Sequence, residues 1–392
     1  MRDIFPGYYR PTAEQFAELW QQCIFVLDAN VLLNFYRYSP KTGEDLLEIL
    51  RRVADRLWLP HQVALEYQEN RLTEIAQQED IYNQVTSILD KAQEDLKLLL
   101  RRGHLSIDAD ALLSRLRNTF TEVKNELAER RQQHPRLFNE DEIREELTAI
   151  FATNVGAAFT QERLNEIYQL GQTRYSQEIP PGYKDNNKKG VKRYGSLTIE
   201  EKYGDLILWH QIIDKAKELK RAVIFVTDDT KEDWWWVSHG KTIGPRQELV
   251  LEMRTEANVL FYMYTPDRFI EYARDNLGVQ VTQEVVDEVR EVAESRSDWK
   301  DEVVSALAAL GGEARLPEIY DLVHETTSRK LPVSWQDIIR YTLYIHSSES
   351  PAYRGGEDLF RRVGRGYWGL KGVQASNIQN DIGDATSENT PL

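Results

Sequence analysis

Five apolar residues in a row, Cys23-Ile24-Phe25-Val26-Leu27, run directly into Asp28-Ala29-Asn30. A run this short, continuous and rich in β-formers reads as a strand buried on both faces, which is what a parallel sheet covered by helices requires. In such open sheets the carboxyl ends of the strands border the ligand crevice, so Asp28 stands where these folds do chemistry. Ala222-Val223-Ile224-Phe225-Val226-Thr227 finishes the same way, in Asp228 and Asp229. One aspartate after a strand is most simply a helix cap. Its recurrence points to a cation held between strand ends.

The stretches between these strands alternate with them as helices, which predicts an α/β fold with a mainly parallel sheet flanked by helices. Residues 31–38 and 42–53 read as helices broken at Ser39-Pro40, and Leu57-Trp58-Leu59 as a short buried strand. Pro60 opens a helix expected to pack Val63, Tyr67, Leu72 and Ile75, with Glu66 and Asn70 sharing another face near the strand ends. From about 77 to 170 the chain is charged and helical with few breakers, the pattern of a long helical insertion whose charge runs lie in solvent. Thr198-Ile199-Glu200-Glu201 reads as a capping box opening a helix that extends to about Leu219. On that helix Asp205 shares a face with Leu208, Trp209 and Ile212, and a carboxylate bordering a core is costly unless paired or metal-bound. Residues 258–264 form a further strand, and Thr265-Pro266 begins a closing helix.

The net charge of −15 argues against a protein coated in basic surface, so any nucleic-acid contact must use local patches. The most basic stretch lies within residues 178–195, where Pro and Gly mark a loop and Lys184, Lys188 and Arg193 alternate with Tyr183 and Tyr194. Such cations meet backbone phosphates, and such rings stack on exposed bases. Trp234-Trp235-Trp236 cannot all point inward, since adjacent residues face different ways. Cys23 is the only cysteine, so no disulfide or cysteine zinc site forms within the chain, which fits a reducing, cytoplasmic setting. The first residues hold no apolar signal core, and no apolar stretch is long enough to span a membrane.

Residues 278–298 are acidic and turn-free and read as a linker, giving a first domain at 1–277 and a second at 299–372. In the second, a helix ends at Gly311-Gly312, another spans about 317–324, and a third begins near Ser334 and carries Trp335, Ile338, Ile339 and Leu343. Two short strands follow around Gly364-Arg365-Gly366. Three helices and a hairpin match a winged helix, in which the third helix enters the major groove of duplex DNA and the wing touches the backbone. Arg340, Arg361 and Arg365 are the candidate DNA contacts. The tail, 373–392, is expected to be disordered.

With these residues in hand, the first domain resembles the PIN-domain ribonuclease superfamily, in its branch of large bacterial PIN-like proteins. The likeness is carried by Leu27-Asp28-Ala29-Asn30, Pro60-His61-Gln62-Val63-Ala64-Leu65-Glu66-Tyr67, Pro180-Pro181-Gly182-Tyr183-Lys184-Asp185, Tyr203-Gly204-Asp205-Leu206-Ile207-Leu208-Trp209 and Val226-Thr227-Asp228-Asp229-Thr230-Lys231-Glu232-Asp233-Trp234. It implies an acidic quartet, Asp28, Glu66, Asp205 and Asp229, that binds Mg2+ or Mn2+ in a metal-dependent endonuclease acting on RNA or single-stranded nucleic acid. Asp229 is preferred to Asp228 because the family places its acid two residues after the Thr or Ser. Asn30, Thr227 and Asp228 then support the ligands. The second domain looks like the winged helix at the N-terminus of Mrr-type restriction proteins, through Leu310-Gly311-Gly312-Glu313-Ala314, Trp335-Gln336-Asp337-Ile338-Ile339-Arg340 and Gly366-Tyr367-Trp368-Gly369-Leu370. That implies DNA recognition in bacterial antiviral defence. The rival reading is a non-catalytic DNA-binding regulator acting through the winged helix. A phosphatase of the haloacid-dehalogenase kind needs an Asp where this chain has Asn30. The helical insertion leaves a homo-oligomer or partner-protein contact open.

Overall fold

The computed structural model describes residues 1–2, 4–102, 109–133, 137–238, 241–296, 299–327, 331, 335–353 and 358–371. The chain divides into two compact units, Met1–Glu294 and Ser295–Leu392. The first contains strands β1 (Ile24–Leu27), β2 (Val191–Tyr194), β3 (Leu197–Glu200), β4 (Val223–Val226), β5 (Trp235–Ser238), β6 (Lys241–Pro245) and β7 (Phe261–Tyr264).

β1, β4 and β7 form a parallel sheet in that order, with Leu27 opposite Val226 and Val226 opposite Tyr264. The strands therefore end level, and the residues that follow them, Asp28, Thr227 and Thr265, emerge along one edge. Every position of β1 and β4 is buried, as a strand covered on both faces must be. Trp209 sets its ring edge against Phe261 at 4.9 Å and Trp234 at 6.3 Å, and Trp20 stacks on Phe269 at 5.8 Å. Deleting one such buried aromatic costs about 3–5 kcal/mol, so this layer holds the strand ends in place.

Several elements differ from their sequence expectations. The stretch 31–38 splits into the helix Ala29–Leu33 and a 3-10 turn Asn34–Tyr36. Leu57-Trp58-Leu59 is buried but joins no ladder, because Leu57 bridges to Phe25 and Leu59 to Val155. The helix begun after Pro60 runs unbroken from His61 to Arg102. Val63, Tyr67 and Ile75 are buried on it, but Leu72 is 41% exposed, since nine residues at 3.6 per turn carry it about half a turn round from Val63. The far end of this helix and its partner Ala109–Gln133 depart from the core. Lys124 with Asp90, and Arg131 with Asn83, show them antiparallel. By contrast Leu147, Ile150 and Phe151, still inside the expected insertion of 77–170, belong to the main core. The expected capping box at Thr198 is instead part of β3, whose partner β2 closes a hairpin from the basic loop. The helix proper is Gly204–Leu219. The expected linker at 278–298 is also packed. Its helix Gln283–Arg296 lays Val285, Val286 and Val289 into the main core, an apolar stripe at 3.6-residue spacing that acidic composition concealed.

The second unit contains the helices Trp299–Ala309, Leu316–Thr326 and Trp335–Ile345. Strands β8 (Glu313–Arg315), β9 (Phe360–Gly364) and β10 (Tyr367–Leu370) form an antiparallel sheet in the order β8-β10-β9. Val303, Leu307, Ile319, Ile339, Phe360 and Trp368 make its own core. Gly311 and Gly312, at φ +84° and +92°, end the first helix in the left-handed region that glycine occupies without strain. Ser334 and the tail 373–392 lie outside the described residues.

Candidate active site

Asp28 follows β1 and caps the helix Ala29–Leu33. Its Oδ1 accepts a hydrogen bond from the Ala29 amide at 2.7 Å. The other oxygen accepts the Thr227 hydroxyl at 2.7 Å, and Thr227 Oγ1 in turn accepts the Asp229 amide at 3.0 Å. One threonine thus ties together the acids at the ends of two adjacent strands. Burial pushes the Asp28 carboxyl up to about 7, with the charges of Asp228, Glu66 and Asp229 adding to the effect and the Thr227 hydrogen bond opposing it.

Glu66 stands in the second turn of the long helix, where Gln62 Nε2 donates to its Oε1 at 2.6 Å. A Cβ at Gly204 would meet that oxygen at 3.1 Å, so glycine lets Glu66 lie against the start of the helix that carries Asp205. Burial raises the Glu66 carboxyl, opposed by Gln62 and by the more distant Lys192 and Lys188. Asp205 accepts the Trp234 indole N–H at 3.2 Å. It is raised well above the usual range by burial, with the charges of Asp185, Asp229 and Asp233 adding and Lys231 opposing. Asp229 is secured by the Lys231 amide at 2.8 Å and the Lys231 ammonium at 3.4 Å.

The expected quartet therefore gathers around one set of strand and helix ends. Asp28, Glu66 and Asp205 make no ion pair among the described residues, whereas Asp229 pairs with Lys231. Of the supporting residues, Thr227 makes the bonds described. Asp228 is buried and accepts Asn34 Nδ2 at 2.9 Å, and Asn30 is half-buried in the helix that Asp28 caps. Among the described residues no three His, Cys, Asp or Glu side chains converge closely enough to enclose a metal ion. The donor chemistry nevertheless fits Mg2+ or Mn2+. All donors are hard carboxylate oxygens, and Mg2+ keeps several waters and takes only one or two carboxylates directly.

Three further residues belong to this cluster. Asp185 bonds Lys188 Nζ at 2.8 Å and Lys231 Nζ at 3.0 Å. Burial would raise it, but the two ammonium groups pull it below its usual value. Lys231 stays protonated against the cost of burial because Asp229, Asp205 and Asp185 surround it. Asp233 is fully buried; one oxygen accepts the Gly182 and Lys184 amides at 3.1 and 3.2 Å, and the other has no partner. Burial pushes its carboxyl up to about 6. Asp185 sits in the Pro-Pro-Gly loop and Lys231 and Asp233 just past the second acidic strand, so nearness to those motifs was the signal that could have found them.

The expected nucleic-acid contacts are unequally placed. Lys184 pairs with Glu232, and Lys188 with Asp185, while Arg193 on β2 is exposed and makes no ion pair among the described residues. In the second unit Arg340 pairs with Asp337 and Arg361 with Glu313. Arg365 is exposed between β9 and β10. The tryptophans divide, Trp234 and Trp235 buried and Trp236 half-exposed against Tyr8 at 5.7 Å.

The family model of the PIN-like domain matches residues 24–249, from the first residue of β1 into the helix after β6. The chain belongs to the PIN-like domain family. No curated protein and no solved structure matches the chain. At the family level PIN-like domains are nuclease-type, act on nucleic acid and generally use divalent metals. No helix among the described residues is long and apolar enough to cross a membrane.

Proposed function

We propose that this PIN-like protein is a Mg2+- or Mn2+-dependent endonuclease that hydrolyses RNA or single-stranded nucleic acid, with Asp28, Glu66, Asp205 and Asp229 as its acidic quartet. The observation that carries this reading is that Asp28, Glu66 and Asp205, all raised by burial, make no ion pair among the described residues. Burying such charges together is unfavourable unless a cation shares them. When bound, the ion supplies a Lewis acid and an activated water for in-line phosphodiester displacement. The chain's part is positional. Thr227 fixes the Asp28 rotamer and the Asp229 backbone, Gln62 holds Glu66, and Trp234 holds Asp205. Lys231 pairs with Asp185 and Asp229, while Asp28, Glu66 and Asp205 make no ion pair among the described residues. Asp28→Asn abolishes cleavage of labelled single-stranded RNA or DNA in Mn2+ while the fold persists by circular dichroism; undiminished cleavage sinks the assignment.

A second reading concerns residues 299–371, taken as a winged helix that binds duplex DNA and, in the alternative of a regulator, does the protein's work alone. Its support is three helices with a hairpin whose tip bears the exposed Arg365. Arg365→Glu then weakens duplex binding and lowers its salt dependence by roughly one counterion. Binding unchanged by that reversal removes this role. A setting in antiviral defence rests on the Mrr-type resemblance. Self-association through the helix pair is supported by Ile88 and Leu99, each 66% exposed.

A further inference from the structure

Edge strand β7 has a neighbour on one side of the parallel sheet only. Along it lie two cavities of about 530 and 520 Å³ that share Arg10, Thr242, Ile243, Gly244 and Tyr262. One borders the start of the strand, at Leu260 and Phe261, and the other its end, at Tyr264 and Thr265. They form a continuous groove. At the strand's carboxyl end its wall includes Thr230 and Trp235, and the Trp235 indole donates to the Asp229 carbonyl at 2.5 Å. The groove thus ends beside the acidic quartet.

Its chemistry is unlike the rest of the molecule. On a chain of net charge −15, the described residues that line both cavities include no aspartate or glutamate but do include Arg2, Arg10, Arg254 and Arg268. Arg268 pairs with Glu271 at 2.7 Å, but Arg2, Arg10 and Arg254 make no ion pair among the described residues. By contrast the cavity at the amino end of β1 mixes Asp55, Asp214 and Glu218 with Arg56, Lys215 and Arg221. Rings stand between the arginines. Tyr8 is 61% exposed and meets Trp236 edge-on, and Tyr262 and Tyr272 are half-buried. Arg2 and Arg10 lie over the rings of Tyr9 and Phe16, and Arg10 donates to the Tyr272 hydroxyl; guanidinium groups with no carboxylate partner among the described residues, beside the exposed Tyr8 ring, supply the charge for phosphates and the platform for a base that a single strand needs.

We propose that this groove is a binding track for a single-stranded nucleic-acid segment that leads to or away from the scissile phosphate at the acidic quartet. The proposal rests on the nuclease reading for its direction, but its binding chemistry is independent of cleavage. It differs from the basic loop at 184–193, two of whose lysines already serve acids of the chain.

The test measures fluorescence anisotropy of labelled single-stranded RNA and DNA 12-mers with the full chain in chelator, so that nothing is cut. Arg10→Glu, Arg254→Glu and Trp236→Ala are compared with the parent, and circular dichroism monitors folding. Each charge reversal is expected to weaken binding about tenfold at low salt and to reduce the salt slope by roughly one. Trp236→Ala is expected to weaken it at every salt concentration, by the several-fold to hundredfold that a lost stack of about 1–3 kcal/mol entails. Arg254→Glu carries least risk to folding, because its side chain is exposed and makes no ion pair among the described residues. Oligonucleotide binding that is absent, or unaltered in all three variants, overturns the proposal, as does displacement of the oligonucleotide by an extended peptide adding to β7. Cleavage of a dinucleotide in Mn2+, too short to reach the groove, reports the quartet separately. Dinucleotide cleavage that Asp205→Asn leaves undiminished overturns the nuclease reading alone, whereas 12-mer binding that the groove variants leave undiminished overturns the track alone.

Discussion

Replacing Asp28 with asparagine removes a charge that the folded, metal-free protein holds at a cost. The carboxyl is pushed by burial from an ordinary 3.8 up to about 7, and at 1.36 kcal/mol per pH unit this gap corresponds to about 4 kcal/mol. Asp28 keeps one edge open to solvent, and screening there brings the usable figure nearer about 2 kcal/mol. The amide also preserves much of the local bonding. Its oxygen accepts the Ala29 amide, and its nitrogen donates to Thr227 Oγ1 in place of the present bond. Because the folded carboxyl binds its proton more tightly than the unfolded one, the native state holds the extra proton between about pH 4 and 7. Parent stability therefore falls as pH rises through that window and levels off above 7. Asp28→Asn is accordingly expected to be as stable as the parent near pH 4 and more stable by about 2 kcal/mol at pH 8 in chelator. For the unit Met1–Glu294 that is roughly 3 °C in Tm. Mn2+ should reverse the order, since an ion at a hundred times its Kd adds about 2.7 kcal/mol to the parent and little to the variant. Scanning calorimetry at pH 4 and 8, with chelator and with Mn2+, reads all four values. A variant no more stable than the parent at pH 8 in chelator, or one stabilised equally by Mn2+, refutes the account of Asp28 as a strained metal ligand.

Gly182→Ala tests the loop that closes on Asp205. Glycine sits there at φ +86°, and a Cβ would meet the Tyr175 hydroxyl and the Asp205 Cβ. A loss of about 2–4 kcal/mol is expected in urea unfolding, together with reduced cleavage; parent-like values in both would show the loop to be slack. Arg174→Ala strips Glu252 of its bidentate partner at 2.6 and 2.8 Å and the Pro180 carbonyl of a donor. Leaving that carboxylate to the Trp209 indole alone is expected to cost about 3 kcal/mol, read as a lower denaturation midpoint with an unchanged slope.

The three parallel strands were legible because a strand buried on both faces must be a short unbroken apolar run, and β1 and β4 are such runs. The same runs marked Asp28 and Asp229, since whatever follows a strand in this architecture faces the crevice. Asp205 was legible through its company on a helix face. Glu66 and the choice between Asp228 and Asp229 came from family likeness instead, as spacing alone leaves a surface glutamate and a metal ligand indistinguishable. Local pattern failed where a segment serves two surroundings. The helix from His61 to Arg102 shows no break where it leaves the core, and residues 283–296 hide a buried valine stripe under acidic composition.

Local order along the chain, the apolar runs, their acidic ends and the breakers at proline and glycine, was settled by covalent sequence, because steric and hydration preferences act between near neighbours. Only tertiary structure decided the charge balance of the site. Lys231, Asp185 and Asp229 become one electrostatic unit by approaching in space, and the arginine-lined groove along β7 draws on residues more than two hundred positions apart. Coulombic energy depends on distance and on how much water is excluded, and neither quantity is written in the order of the residues.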